Sequence, residues 1–207
     1  MSMQARKAEM LDKMRDILGE DYVQLKIIAY RLEEDLETDK ARIRCQLVDR
    51  GHPDGLRQIE GEGCGLLDAC FQGLLAALEV EYPSLKTISI RDFSVKGLMA
   101  TRGEGAGSDA KAEVSLTVAT SENHSFTFSV TSRSLARASV EVTLEAINYF
   151  VNSEKAFIST YRYLQHYRKE GRTDLVTKYQ LLLGQMVQNT SYTEVIDQIK
   201  AQEALKG

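Results

Sequence analysis

No apolar run in this sequence approaches the roughly 20 residues needed to cross a bilayer. The opening MSMQARKAEMLDKM is charged from residue 6 onward and has no apolar core of a signal peptide. The cytoplasm is therefore the expected compartment, and a methionine start ahead of a helical segment reads as a complete chain. The sequons at Asn123 and Asn189 are then chance matches. Cysteine is scarce: Cys45, Cys64 and Cys70 lack metal-ligand spacing and fit a reducing compartment better than a disulfide-stapled fold. His52, His124 and His166 are scattered, so neither a metal site nor a cofactor is expected. Charge of one sign is short as well. The 26 basic and 30 acidic side chains form no long block, which gives no reason to expect nucleic acid or a membrane as a partner. The stretches GEGCG and GEGAG lack the Lys-Ser/Thr of a nucleotide-binding loop, and Cys64 has no recognisable paired base. No catalytic residue is expected.

What is present is a core-forming chain of 207 residues, 43% of them hydrophobic. Its most informative stretch runs from Glu60 to Val80. Gly61, Gly63 and Gly65 sit where an alternating pattern gives way to one with apolar residues three and four apart, as in a strand turning sharply into a helix. Leu67, Cys70, Phe71, Leu74, Leu75 and Leu78 then share one helical face. A weaker copy follows: residues 110–118 and 124–130 alternate like neighbouring strands, and 132–150 reads as a helix with Leu135, Ala138, Val142, Ala146 and Tyr149 on one face. This repetition predicts an internal duplication.

Around these stretches, residues 5–18 predict a short docking helix stopped by Gly19, and 22–31 and 40–49 predict strands joined by the acidic loop 33–39. On the first strand Leu25, Ile27 and Ala29 are expected to face one way. Residues 50–55 read as a turn, 56–60 as a short third strand and 85–94 as the strand opening the second half. After Phe150 the pattern becomes helical, with segments 154–169 and 173–188 and a capping box from Ser191 to Glu194. The aromatic stripe Phe157, Tyr161, Tyr163 and Tyr167 is expected to pack on the sheet or on another subunit.

The segments GCGLLDACFQGL at 63–74, GSDAKAEVSLTV at 107–118 and ASVEVTLEAINYF at 138–150 together resemble the C-terminal regulatory domain of 2-isopropylmalate synthase and its citramalate and homocitrate synthase relatives. The resemblance spans about residues 22–150. It implies two strand-strand-strand-helix units about a pseudo-twofold, a homodimer, and a small amino-acid or 2-keto-acid ligand such as the pathway end product. The family's Gly-x-Gly-x-x-Asp-Ala signature falls on Gly63, Gly65, Asp68 and Ala69, and its middle-loop signature includes Asp109. In the second unit Ser132, Arg133 and Ser134 occupy the corresponding helix start, with Ser134 expected at the aspartate's place. The catalytic barrel of those synthases has no counterpart here.

The expected architecture is α+β: a docking helix at 1–21, two related units at about 22–82 and 83–150, and a helical annex at 151–207. The expected function is a non-catalytic regulatory or assembly module, with Gly63, Gly65, Asp68, Ala69, Asp109, Ser132, Arg133 and Ser134 as ligand-binding candidates. Alternatives are a regulatory subunit acting on a separate catalytic subunit, a purely structural dimer, and a small-ligand enzyme with an unrecognised site.

Overall fold

Three antiparallel strands followed by a helix occur twice in succession. The computed structural model describes residues 3–98, 110–187, 192 and 195–197. After helix α1 (Met3–Leu18), the first unit comprises β1 (Leu25–Asp35), β2 (Lys40–Asp49), β3 (His52–Gly63) and α2 (Leu66–Leu78). The second comprises β4 (Ile88–Leu98), β5 (Lys111–Thr120), β6 (Ser125–Ser132) and α3 (Leu135–Lys169), and α4 (Thr173–Met186) comes after it. Each unit forms its own antiparallel sheet, ordered β1-β2-β3 and β4-β5-β6. The fold is α+β, with a helical C-terminal part. No described helix is long and apolar enough to cross a membrane.

Alternation along the middle strands decides which face is buried. Ala41, Ile43, Cys45 and Leu47 on β2, and Val114, Leu116 and Val118 on β5, all point into the core. There α2 lies against β2 and β3, α3 lies against β5 and β6, and the two helices pack on each other. Both first strands carry a bulge at the equivalent place. The register slips between Ile27 and Ala29 in β1 and between Ile90 and Asp92 in β4. An extra residue reverses which positions face inward. Ala29 consequently pairs with the outward Gln46, and Tyr30 and Leu32 take the inward places opposite Cys45 and Ile43. The expectation that Ala29 continues the face of Leu25 and Ile27 is corrected.

Several boundaries also move for local reasons. The acidic segment 33–39 is half strand, because Glu33 lies opposite Arg42 and Asp35 opposite Lys40. Asp49 pairs with His52, so the hairpin turns on Arg50 and Gly51 alone and β3 runs through Pro53, which an edge strand tolerates. Residues 83–87 form a 3-10 turn from Pro83, so the strand expected from residue 85 begins at Ile88. The two helices expected over 132–150 and 154–169 are one helix of 35 residues. Residues 151–154 are wholly buried and contain neither glycine nor proline to interrupt it.

Helix α1 packs on α3 and touches β6, burying Met10, Met14 and Leu18. Its Lys7 Nζ donates to the Thr127 carbonyl at 2.6 Å, occupying one acceptor of the β6 edge. The aromatic stripe makes its ring contacts within the helical part itself. Phe157 stacks on Tyr192 with ring centroids 4.3 Å apart, and Tyr163 and Tyr167 meet Tyr179 of α4 at 5.6 and 5.4 Å. The proposed capping pair Ser191 and Glu194, together with the loop 101–109, lies outside the described residues.

Candidate functional site

The turn from β3 into α2 is built by close approach. A Cβ on Gly61 would lie 2.0 Å from the Ala69 carbonyl oxygen and 2.8 Å from the Gly73 Cα. One on Gly63 would lie 2.5 Å from Asp68 Oδ2 and 2.6 Å from the Ala69 nitrogen. Gly65, the helix N-cap, has φ 153° and ψ 177°, a backbone conformation that side chains rarely adopt. These glycines let the first turn of α2 rest directly on the strand that precedes it.

Asp68 closes that turn. Its Oδ2 accepts the Cys64 backbone N–H at 3.0 Å, and its Oδ1 accepts a longer contact from Gln72 Nε2 at 3.3 Å. An acid three residues past the cap thus reaches back to the N–H just ahead of the cap, and its charge lies in the helix's positive first turn. Ala69 is fully buried beneath it. The structure therefore brings Gly63, Gly65, Asp68 and Ala69 into one compact turn.

The second unit solves the same junction differently. Ser134 caps α3, its Oγ accepting the Arg137 N–H at 3.2 Å, and its own N–H donates to Ser132 Oγ at 3.2 Å. Arg133 is exposed. Gly63 pairs with Ala41 and Ser132 with Ala112, and each N-cap follows two residues later. On that correspondence Ser134 stands at the place of Gly65, and Arg137 at the place of Asp68. This corrects the assignment of Ser134 to the acidic position. Arg137 is drawn to Glu141, with Nε to Oε1 at 2.8 Å. Among the described residues no hydrogen bond or ion pair joins the first-unit candidates to Ser132, Arg133 or Ser134. Asp109 lies outside the described residues.

Other chemistry is sparse. Cys45 and Cys70 are buried against each other, and the hydrogen bond to Cys45 together with burial pushes the Cys70 thiol up. No group of three metal-ligating side chains occurs among the described residues.

Sequence reasoning missed three features around the site. Asn148 and Asn152, one turn apart on α3, clasp the start of β1. Asn148 accepts from the Leu25 N–H at 2.9 Å and donates to its carbonyl at 3.0 Å, and Asn152 does the same to Val23, both at 2.8 Å. The available signal was a pair of amides four apart inside an apolar helical face. Glu154 is also buried, its Oε2 accepting the Ser84 N–H at 2.8 Å. Burial raises its carboxyl above the usual carboxylate range against the opposing pull of Ser84. Third, the inward ends of the two first strands are uncovered: Tyr30 is 39% exposed, Phe93 40% and Val95 46%.

Residues 5–151 match the family described as the LeuA allosteric (dimerisation) domain. No curated protein matches the chain.

Proposed function

Since the chain belongs to the LeuA allosteric (dimerisation) domain family, we propose that this regulatory or dimerisation module is non-catalytic and pairs with a second copy through the uncovered inner ends of its sheets. The observation that carries this reading is their repetition. Past equivalent bulges, Tyr30 and Leu32 of β1 and Phe93 and Val95 of β4 point to the helix side of their sheets, yet α2 and α3 leave them partly or largely open. Two matching apolar patches on one monomer suit a symmetric partner.

The turn at Gly63, Gly65, Asp68 and Ala69 is the ligand site of this reading, for a small branched-chain amino acid or its 2-keto acid near the dimer interface. Among the described residues Asp68 Oδ1 carries only the 3.3 Å contact from Gln72, which leaves it open to an ammonium group. The N–H groups opening α2 would receive a carboxylate. A separate catalytic subunit would be the target of such regulation, with a change in its activity on mixing as the readout.

Sedimentation of the purified chain is expected to give the mass of two copies. Phe93→Glu combined with Val95→Glu is expected to give one copy with an unchanged circular dichroism spectrum. Calorimetric titration with leucine and its 2-keto acid is expected to show saturable heat that Asp68→Asn removes. A wild-type monomer would sink the pairing. A stable dimer giving no heat with either compound would sink the ligand reading.

A further inference from the structure

The two sheets share a backbone plan but not an outer face. In the second unit the positions pointing away from the helices form the rows Ser94, Ser115, Ser129 and Asp92, Thr117, Thr127. Hydroxyls satisfy one another across the strands, at 2.8 Å from Ser115 Oγ to Ser129 Oγ and 2.9 Å from Thr117 Oγ1 to Thr127 Oγ1. The equivalent rows of the first unit are Arg31, Arg44, Glu60 and Ala29, Gln46, Gln58. A fold that accepts paired hydroxyls across the middle and last strands of one unit does not require guanidinium and carboxamide groups in the other.

Those six residues line a surface cleft of about 370 Å³. The small Ala29 side chain follows the bulge at Ile28, leaving room beside the arginines. Arg31 and Arg44 are directly opposite in the register, an arrangement of like charges that costs stability by itself. Arg44 Nε donates to Glu60 Oε1 at 3.0 Å, whereas Arg31 has no carboxylate partner among the described residues. The next row holds Glu33, Arg42 and Glu62, with Arg42 Nε donating to Glu62 Oε1 at 2.8 Å, so the positive charge at Arg31 and Arg44 is local to the cleft and is offset by the carboxylates beside it.

We propose that this cleft binds a small hydroxylated phosphomonoester. A phosphate group has several terminal oxygens and a charge near −2, enough to engage both guanidinium forks. A single carboxylate could bridge both but brings only one negative charge and two oxygens to them. Gln46, Gln58 and the Glu60 carboxylate then supply donors and acceptors for the ligand's hydroxyl groups. The six side chains point to the opposite face of the sheet from α2, with Tyr30, Cys45 and Ile59 between them along the strands, and none of them belongs to the Gly63–Ala69 turn.

The test is titration of the full chain with glycerol 3-phosphate, with glycerol and inorganic phosphate run in parallel, followed by calorimetry and by amide-resolved NMR. Saturable binding of glycerol 3-phosphate is expected, with shifts centred on Arg31, Arg44, Gln46 and Gln58. Glycerol should be silent and inorganic phosphate weaker than the ester. Arg31→Ala and Arg44→Ala should each weaken binding by about tenfold or more, Arg31→Lys by less than Arg31→Ala, and Ser115→Ala on the equivalent outer face should leave it unchanged. Each variant's fold is checked by circular dichroism. Absence of saturable binding, unchanged affinity in both arginine variants, or inorganic phosphate binding as tightly as the ester would overturn the assignment.

Discussion

At Gly61 the spacing between β3 and α2 is set by the side chain that is not there. An added methyl group would meet the Ala69 carbonyl oxygen at 2.0 Å and the backbone of Gly73 at 2.8 Å, and neither can rotate away. Gly61→Ala is therefore expected to lift α2 from the sheet and to lower unfolding stability by about 3 kcal/mol, the upper part of the range for overpacking a core. Chemical denaturation with an unchanged slope is the measurement. A loss under about 0.5 kcal/mol, the usual size of a neutral surface change, would show that the helix shifts freely. The glycine cluster was legible in the sequence as a strand-to-helix turn. That Gly61 and Gly63 serve contact rather than turning was not, because a sequence does not show what approaches a residue from elsewhere in space. Ser134 teaches the same lesson in reverse: it looks like the counterpart of Asp68, and only strand pairing moves that role to Arg137.

At the scale of elements, α3 joins the two units. Asn148 and Asn152 supply β1 with the donors and acceptors that another strand would otherwise provide, so the helix of unit two closes part of the open edge of unit one. Asn152→Ala leaves the buried Val23 N–H and carbonyl without these partners and is expected to cost about 2–3 kcal/mol. Asn152→Asp keeps the acceptor but loses the donor to Val23, so it is also expected to destabilise. Hydrogen exchange is the sharper reading. In Asn152→Ala the Val23 amide should lose protection while those in β5 keep theirs, and equal loss in both sheets would contradict a local clasp. The helical periodicity of 132–169 was visible beforehand, but its continuity was not. Polar Asn152 and Ser153 look like an interruption until their burial against β1 and Tyr192 is seen.

At the scale of the whole molecule, Glu154 fastens the turn that starts unit two to the middle of α3. Burial raises its carboxyl in the folded state above the unfolded value, so the folded chain holds that proton more tightly. Its contribution is fully present below the ordinary carboxyl range and is lost as pH rises through the raised folded value. Thermal unfolding from about pH 4 to about pH 7 should thus show Glu154→Gln gaining on the wild type as pH increases. A melting difference independent of pH would mean that Glu154 does not change protonation across that window.

The sequence by itself determined the repeated strand-strand-strand-helix order, the inward faces of β2 and β5, the glycine turn and the helical ending. All of these follow from residue spacing and local conformational preference. Only the tertiary structure decided the switch of face at the two bulges, the run of α3 through residues 151–153, the amide clasp on β1 and the contrast between the sheets' outer faces. Those depend on register and on partners distant along the chain, which local periodicity does not encode.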